Sequence, residues 1–345
     1  MARELATTGA NTPESIFTAE QERTTTVMIF GGVETPAEKL QFGEGLRLQI
    51  EAQQLSVGAL HKNNASGAEW LAQAGVSLVA LAGMRGDAAE IAPTLLTGAQ
   101  TFGAGATEAL ANRPCICCLN GVRLGFLSYG EQSAVGFNGK ADILNLMAFD
   151  QVRMLISQCD HVIVLVRAGL DEGELPLPEW RARYRRFIDV GASIVVDTGP
   201  AKGWETYKNG SVFYGLGSPA GADALGLFLT LRRNGHLSYE VRALQNTAGT
   251  LDLSQNDAFR GKIDAQNTLL SDNAAYESAA DAMCLRIYGE SELPQKHGLF
   301  GTRLSSANDE ERLYSLLKNE SRRLMTIRAI RLKQAAEQAK PENAK

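Results

Sequence analysis

Short, uninterrupted apolar runs recur along the chain, separated by segments whose apolar positions fall at helical spacing. This is the rhythm of an α/β protein whose parallel strands are buried on both faces. Thr24–Phe30 (TTTVMIF) is apolar and β-branched and stops at Gly31-Gly32, which predicts a strand running into a turn. From Glu44 to Leu60 the apolar spacing is mixed and fits neither period. Gly67–Ala74 predicts a short helix closed by Gly75, and Val76–Leu81 a buried strand that leads into the loop Ala82-Gly83-Met84-Arg85-Gly86-Asp87. Ala88–Gln100 follows as a helix with Pro93 disturbing its start, then a short helix over Ala106–Asn112. Pro114–Leu119 and Val122–Ser128 flank Asn120-Gly121, a strong hairpin signal. A helix over Ala148–Gln158 comes next.

The stretch from His161 to Pro219 repeats the pattern most clearly. His161–Val166 (HVIVLV) reads as a parallel-type strand, and Pro178 opens a helix through Trp180, Tyr184, Phe187 and Ile188 that ends at Gly191. Arg181, Arg183, Arg185 and Arg186 read as its solvated outer face. Strands are expected at Ser193–Asp197 and Ser211–Tyr214, and an antiparallel pair at Leu225–Arg232 and His236–Arg242 around Asn234-Gly235. After Asn246 the composition shifts: Asp257–Ile287 predicts helix, and Asn308 an N-cap followed by Asp309, Glu310 and Glu311. Leu313, Leu316, Leu317, Leu324, Ile327 and Ile330 form an apolar stripe on that last helix, opposite Arg322, Arg323, Arg328, Arg331 and Lys333. Packing against the rest of the chain is the favoured role for the stripe, and self-association the second. The expected organisation is a polar arm over 1–23, an α/β domain over 24–246 and a helical extension over 247–345.

Composition narrows the function classes. With 345 residues and 44% hydrophobic content the chain can bury a full core. A net charge of -5 argues against a general nucleic-acid binder, because phosphate backbones are held by clustered Lys and Arg; a local anion site stays open. The longest apolar run falls short of the roughly 20 residues that cross a bilayer, and the polar N-terminus lacks a signal-peptide core. The five cysteines, Cys115, Cys117, Cys118, Cys159 and Cys284, are an odd number and suggest reduced thiols in a cytoplasmic protein. Alternation sends Cys115 and Cys117 to one face of their strand and Cys118 to the other. His61, His161, His236 and His297 are each expected to be structural. There is no nucleophile elbow, P-loop or zincin helix, and Gly215-Leu216-Gly217 lacks the third glycine of a dinucleotide fingerprint.

Six blocks then occur in a telling order: Val33-Glu34-Thr35-Pro36, Val76–Ala82, Phe102–Gly105, Leu175–Pro178, Phe187–Ala192 and Val212–Gly217. In this order, from about Val27 to Pro219, the chain resembles the CapA-type capsule-synthesis (poly-gamma-glutamate synthesis) proteins. The resemblance implies a four-layer α/β/β/α sandwich of the calcineurin-like metallophosphatase type with a helical C-terminal extension. Glu34 matches that family's Glu, and Asp171 an acidic position after its His-x-Gly block.

The departures fall where the family keeps its metal ligands. Gly83-Met84-Arg85 stands in place of Asn-Asn-His, Arg167 in place of the His of His-x-Gly, and Asp197–Ala201, including Gly199 and Ala201, in place of Gly-His-His-x-His. Ser218 replaces the Asn of Leu-Gly-Asn, and Gly32 the Asn before Glu34; no Gly-Asp strand end is found upstream. An arginine has no lone pair for a cation, though it can take over a cationic position. Two outcomes are therefore open: Arg85, Arg167 and Lys202 bind an anion, or the arginines neutralise Asp171 or Glu34. The expected function is a catalytically degenerate protein, without a metal cofactor, that binds or scaffolds in capsule synthesis. Its partners would be an anionic polymer or other capsule-synthesis proteins. The competing reading is an active, metal-poor hydrolase or phosphoesterase, with a divalent metal such as manganese.

Overall fold

A computed structural model describes residues 23–33, 41–61, 65–84, 99–131, 139–291 and 318–339. The chain opens with β1 (Thr24–Val33), β2 (Gln41–Phe42), α1 (Glu44–Glu51), β3 (Leu55–Leu60), α2 (Ala65–Gln73), β4 (Leu78–Ala80) and β5 (Gln100–Phe102). It continues through α3 (Glu108–Ala111), β6 (Cys115–Leu119), β7 (Val122–Gly130), α4 (Met147–Leu155), β8 (His161–Arg167), α5 (Pro178–Asp189), β9 (Ile194–Asp197), β10 (Trp204–Tyr207) and β11 (Gly210–Phe213). It closes with β12 (Asp223–Arg232), β13 (Leu237–Thr247), β14 (Thr250–Leu253), α6 (Asp257–Ser271), α7 (Asn273–Glu290) and α8 (Glu320–Gln338).

The strands form two sheets, one ordered β2-β14-β13-β12-β1-β3-β4-β5 and the other β10-β11-β9-β8-β7-β6. Period-two alternation explains why they stack as inner layers. Along β1, Val27 and Ile29 face the space between the sheets, whereas Met28 and Phe30 face α1 and α2. Along β8, Ile163 and Leu165 meet the first sheet, whereas Val162, Val164 and Val166 face the α4, α5 and α7 side. Strands buried on both faces read as continuous apolar runs, and three cores separating four layers are the result. The expected α/β/β/α sandwich is the observed fold.

Local signals account for the element ends. Asn120 and Gly121 have φ of 50° and 78°, as a tight hairpin turn requires, and they join β6 and β7 in antiparallel register. Pro178 starts α5 without a donor to waste. Asn256, Asp272 and Asn319 cap α6, α7 and α8 through their side chains.

Several expectations change. Gly31 and Gly32 lie inside β1, not in a turn, because the glycines permit close approach: a Cβ at Gly31 would sit 1.7 Å from the Gly217 carbonyl oxygen. The segment of mixed spacing resolves into α1 and β3. Arg181 is buried, not solvated. Strand pairing continues past residue 246 through β14, and α7 and α8 share the core under the second sheet, because their apolar residues Tyr276, Met283, Ile287, Met325 and Ala329 have nowhere else to bury. Cys115 and Cys117 face the inter-sheet core, as alternation required, whereas Cys118 is exposed. The expected helix over 88–100 lies outside the described residues except at its end, where Gln100 begins β5; Asn308, Leu313, Leu316 and Leu317 also lie outside them. Leu324 and Ile330 pack on the core, while Ile327 is exposed. Among the described residues no helix is long and apolar enough to cross a membrane.

Candidate functional site

Within each sheet the parallel strands β1, β3 and β4, and β7, β8, β9 and β11, point their carboxyl ends to a shared rim, the usual ligand position of such sheets. The two sheets are joined there by Gly32 N–H, which donates to the Thr198 carbonyl at 2.8 Å, and beside it Gly217 N–H ties the loop after β11 to the Gly199 carbonyl after β9 at 2.8 Å.

Side chains of the protein fill this rim. His61, immediately after β3, is buried, and its ring Nε2 lies 2.7 Å from Thr198 Oγ1. That hydroxyl donates to the Val166 carbonyl at 3.1 Å, so Nε2–H is the donor to it. A Cβ at Gly32 would lie 1.9 Å from the His61 ring. Arg167, ending β8, does the same elsewhere: a Cβ at Gly83 would lie 2.5 Å from its Cβ, and one at Gly199 would lie 2.8 Å from its Nη1. The guanidinium donates to Asp171, with 12% of the arginine side chain exposed. The geometry is that of an arginine neutralising a carboxylate.

Further polar groups support the filling. Asp197 accepts from the Tyr184 hydroxyl at 2.6 Å and from Gly199 N–H at 2.7 Å. Burial, reinforced by Asp197, pushes the Tyr184 phenol well above its usual value. Lys202 is buried with its ammonium 2.5 Å from the Leu170 carbonyl; burial lowers its pKa against the opposing pull of Asp197. Glu131, just beyond β7, accepts from Ser321 N–H at 2.6 Å, Ser321 Oγ–H at 2.5 Å and Gly169 N–H at 3.2 Å. Burial still raises its pKa, outweighing those three donors and the more distant Arg167. Ser321 also accepts from Trp180 Nε1–H at 2.8 Å, which ties α8 to the rim.

The structure thus brings together Gly32, Arg167, Asp171, Gly199, Ala201, Lys202 and Ser218. Glu34 and Arg85 lie outside the described residues. Sequence reasoning read His61 as structural without placing it at the rim, and missed Glu131 and Ser321. A charged or imidazole residue directly after a buried apolar run was the available signal for the first two; Ser321 had none, since its partners lie 152 and 190 residues away.

A divalent metal of the kind the fold implies does not fit this arrangement. The space at Gly32, Gly83 and Gly199 is taken by an imidazole and a guanidinium, and the guanidinium is a permanent cation with no lone pair. Among the described residues no group of three His, Cys, Asp or Glu is placed to hold a metal. An open cleft of about 520 Å³ starts at the rim, at Gly32 and the Thr198–Ala201 turn, and runs past the Gly217–Ser218 turn and Asp223 to the start of α6.

Residues 50–220 match the family described as bacterial capsule synthesis protein PGA_cap, which bears out that resemblance over just under half of the chain. The block at Val33–Pro36 and Gly32 lie outside the match. No curated protein matches the chain. Solved structures that it resembles include a phosphatase from Mycoplasma pneumoniae, at 12% identity and a TM-score of 0.44 over 69% of this chain and 96% of that one. A hypothetical protein from Thermus thermophilus aligns at 15% identity and 0.42, over 63% and 99%. A Staphylococcus aureus protein described as a candidate 5'-nucleotidase aligns at 10% identity and 0.45, over 70% and 58%.

Proposed function

We propose, with the capsule-synthesis match over residues 50–220 as premise, that this chain serves cell-surface polymer synthesis as a binding or scaffolding protein without metal-dependent catalysis. The observation that supports this is the occupation of the rim by His61 and Arg167 beside Gly32, Gly83 and Gly199. A guanidinium at that place repels a divalent cation, and the more so in the low dielectric of a buried rim. Its pairing with Asp171 removes the one carboxylate that sits at a family acidic position among the described residues. What stays open to solvent is the cleft that runs from Gly32 and Gly199 to the start of α6, which suits binding.

The test is metal analysis of protein purified without chelator, together with a phosphomonoesterase and phosphodiesterase screen supplemented with manganese. The expected result is substoichiometric metal and no turnover above buffer. Stoichiometric metal or turnover that disappears with chelator overturns the proposal and restores the hydrolase reading.

A further inference from the structure

We propose that the 520 Å³ cleft is a binding pocket for a hydroxylated small anion, a sugar acid or a sugar phosphate. The inference rests on the non-catalytic binding role and names its site and ligand class. The volume lies in the range of small-molecule pockets. Its walls differ in chemistry. Lys262 lies three residues from Phe259 and four from Ala258 along α6, and the three line the cleft with an ammonium, an aromatic wall and a small gap. Lys262 is exposed and in no ion pair among the described residues. The cleft also meets the first turn of the fifteen-residue α6, whose dipole favours an anion.

Across from the helix, Ser218 Oγ is buried without a hydrogen-bond partner. That oxygen lies behind the cleft wall, closed to the cleft, so Ser218 lines the pocket through its other atoms and not through its hydroxyl. The second polar group is Asp223, which accepts from Asn256 Nδ2 at 3.0 Å. A carboxylate in an anion pocket repels a bare anion unless the ligand also offers a donor. Lys262 therefore calls for the anionic group, Asp223 and Asn256 for hydroxyl groups, and Phe259 for the C–H face of a ring. Arg167 and Lys202 are already engaged by Asp171 and the Leu170 carbonyl, so the ammonium left to meet an anion in the cleft is that of Lys262.

The experiment is a calorimetric titration of the full chain, dialysed against chelator, with glucuronate, glucose 6-phosphate, glucose and inorganic phosphate. Glucuronate or glucose 6-phosphate should bind, whichever is preferred naming the anionic group, and Lys262→Ala should weaken that binding about tenfold, as expected for loss of a charge-assisted contact. Lys208→Ala, a change of the same charge on a remote surface, should not weaken it at all. Absence of binding by both sugars, binding of inorganic phosphate as tight as that of glucose 6-phosphate, or affinity unchanged in Lys262→Ala overturns the inference. Because chelator is present throughout, this outcome is independent of the metal and turnover assay that tests the binding role itself.

Discussion

Glu205 and Glu131 are both buried carboxylates with arginine nearby, yet burial has opposite outcomes for them. Burial pushes Glu205 up, but hydrogen bonds from Arg185, Arg181 and Tyr214 outweigh it and hold the group at about 2. Glu131 receives only the neutral donors of Ser321 and Gly169, with Arg167 at longer range, and burial wins. The helix-side network around Glu205 is thus a fully paired structural device, in which Arg181 also donates to Asn273 and the Leu270 carbonyl. At the rim, the Glu131 charge is held with incomplete compensation.

The sharpest way to break this comparison is to remove the network's centre. Glu205→Ala strands two guanidinium groups, Arg181 with 5% and Arg185 with 24% side-chain exposure. It should cost about 3–5 kcal/mol in denaturant unfolding; a loss below about 1 kcal/mol, the scale of an exposed pair, would show that the network is not structural. Next is Gly32→Asp, which returns a ligand-type side chain to the rim. It collides with the His61 ring and should cost about 1–3 kcal/mol through overpacking, without gaining metal affinity. Ser321→Ala leaves Trp180 Nε1–H without its hydroxyl acceptor and weakens the hold on α8. A loss of about 1–2 kcal/mol is expected, with earlier hydrogen exchange in α8 than in α5.

The smallest effect sharpens the comparison through pH. The folded pKa of Glu205 is depressed, so its stabilisation is present above the unfolded value of 4.5 and is lost as pH falls through about 2. The folded pKa of Glu131 is raised, so stability is higher in acid and is lost as pH rises through that raised value. Unfolding curves of Glu205→Gln and Glu131→Gln, each subtracted from the parent chain across the acid range up to neutrality, should therefore slope in opposite directions. Slopes of the same sign would mean that the two carboxylates are not in different environments.

Most of the fold was legible because period-two burial and turn chemistry are local: the Asn120-Gly121 hairpin, the Pro178 helix start and the apolar runs of β8 and β9 each stand where the residues indicate. The misses come from long-range contact. Gly31-Gly32 reads as a turn until the backbone of Gly217 is seen against it, and Arg181 reads as solvated until Glu205, 24 residues on, closes over it. At the site, the sequence showed that Arg167, Gly199 and Ser218 are not metal-ligand residues of the kind the resemblance implies there. That His61 and Arg167 would fill the space beside Gly32, Gly83 and Gly199 was not visible, because glycine records only that room exists.

The account turns on that filling, and anomalous scattering from crystals grown with manganese tests it most directly. The prediction is no anomalous peak within the rim bounded by Gly32, His61, Arg167 and Gly199, with the His61 ring still against Thr198. A strong peak there, with Arg167 swung away from Asp171, would contradict it.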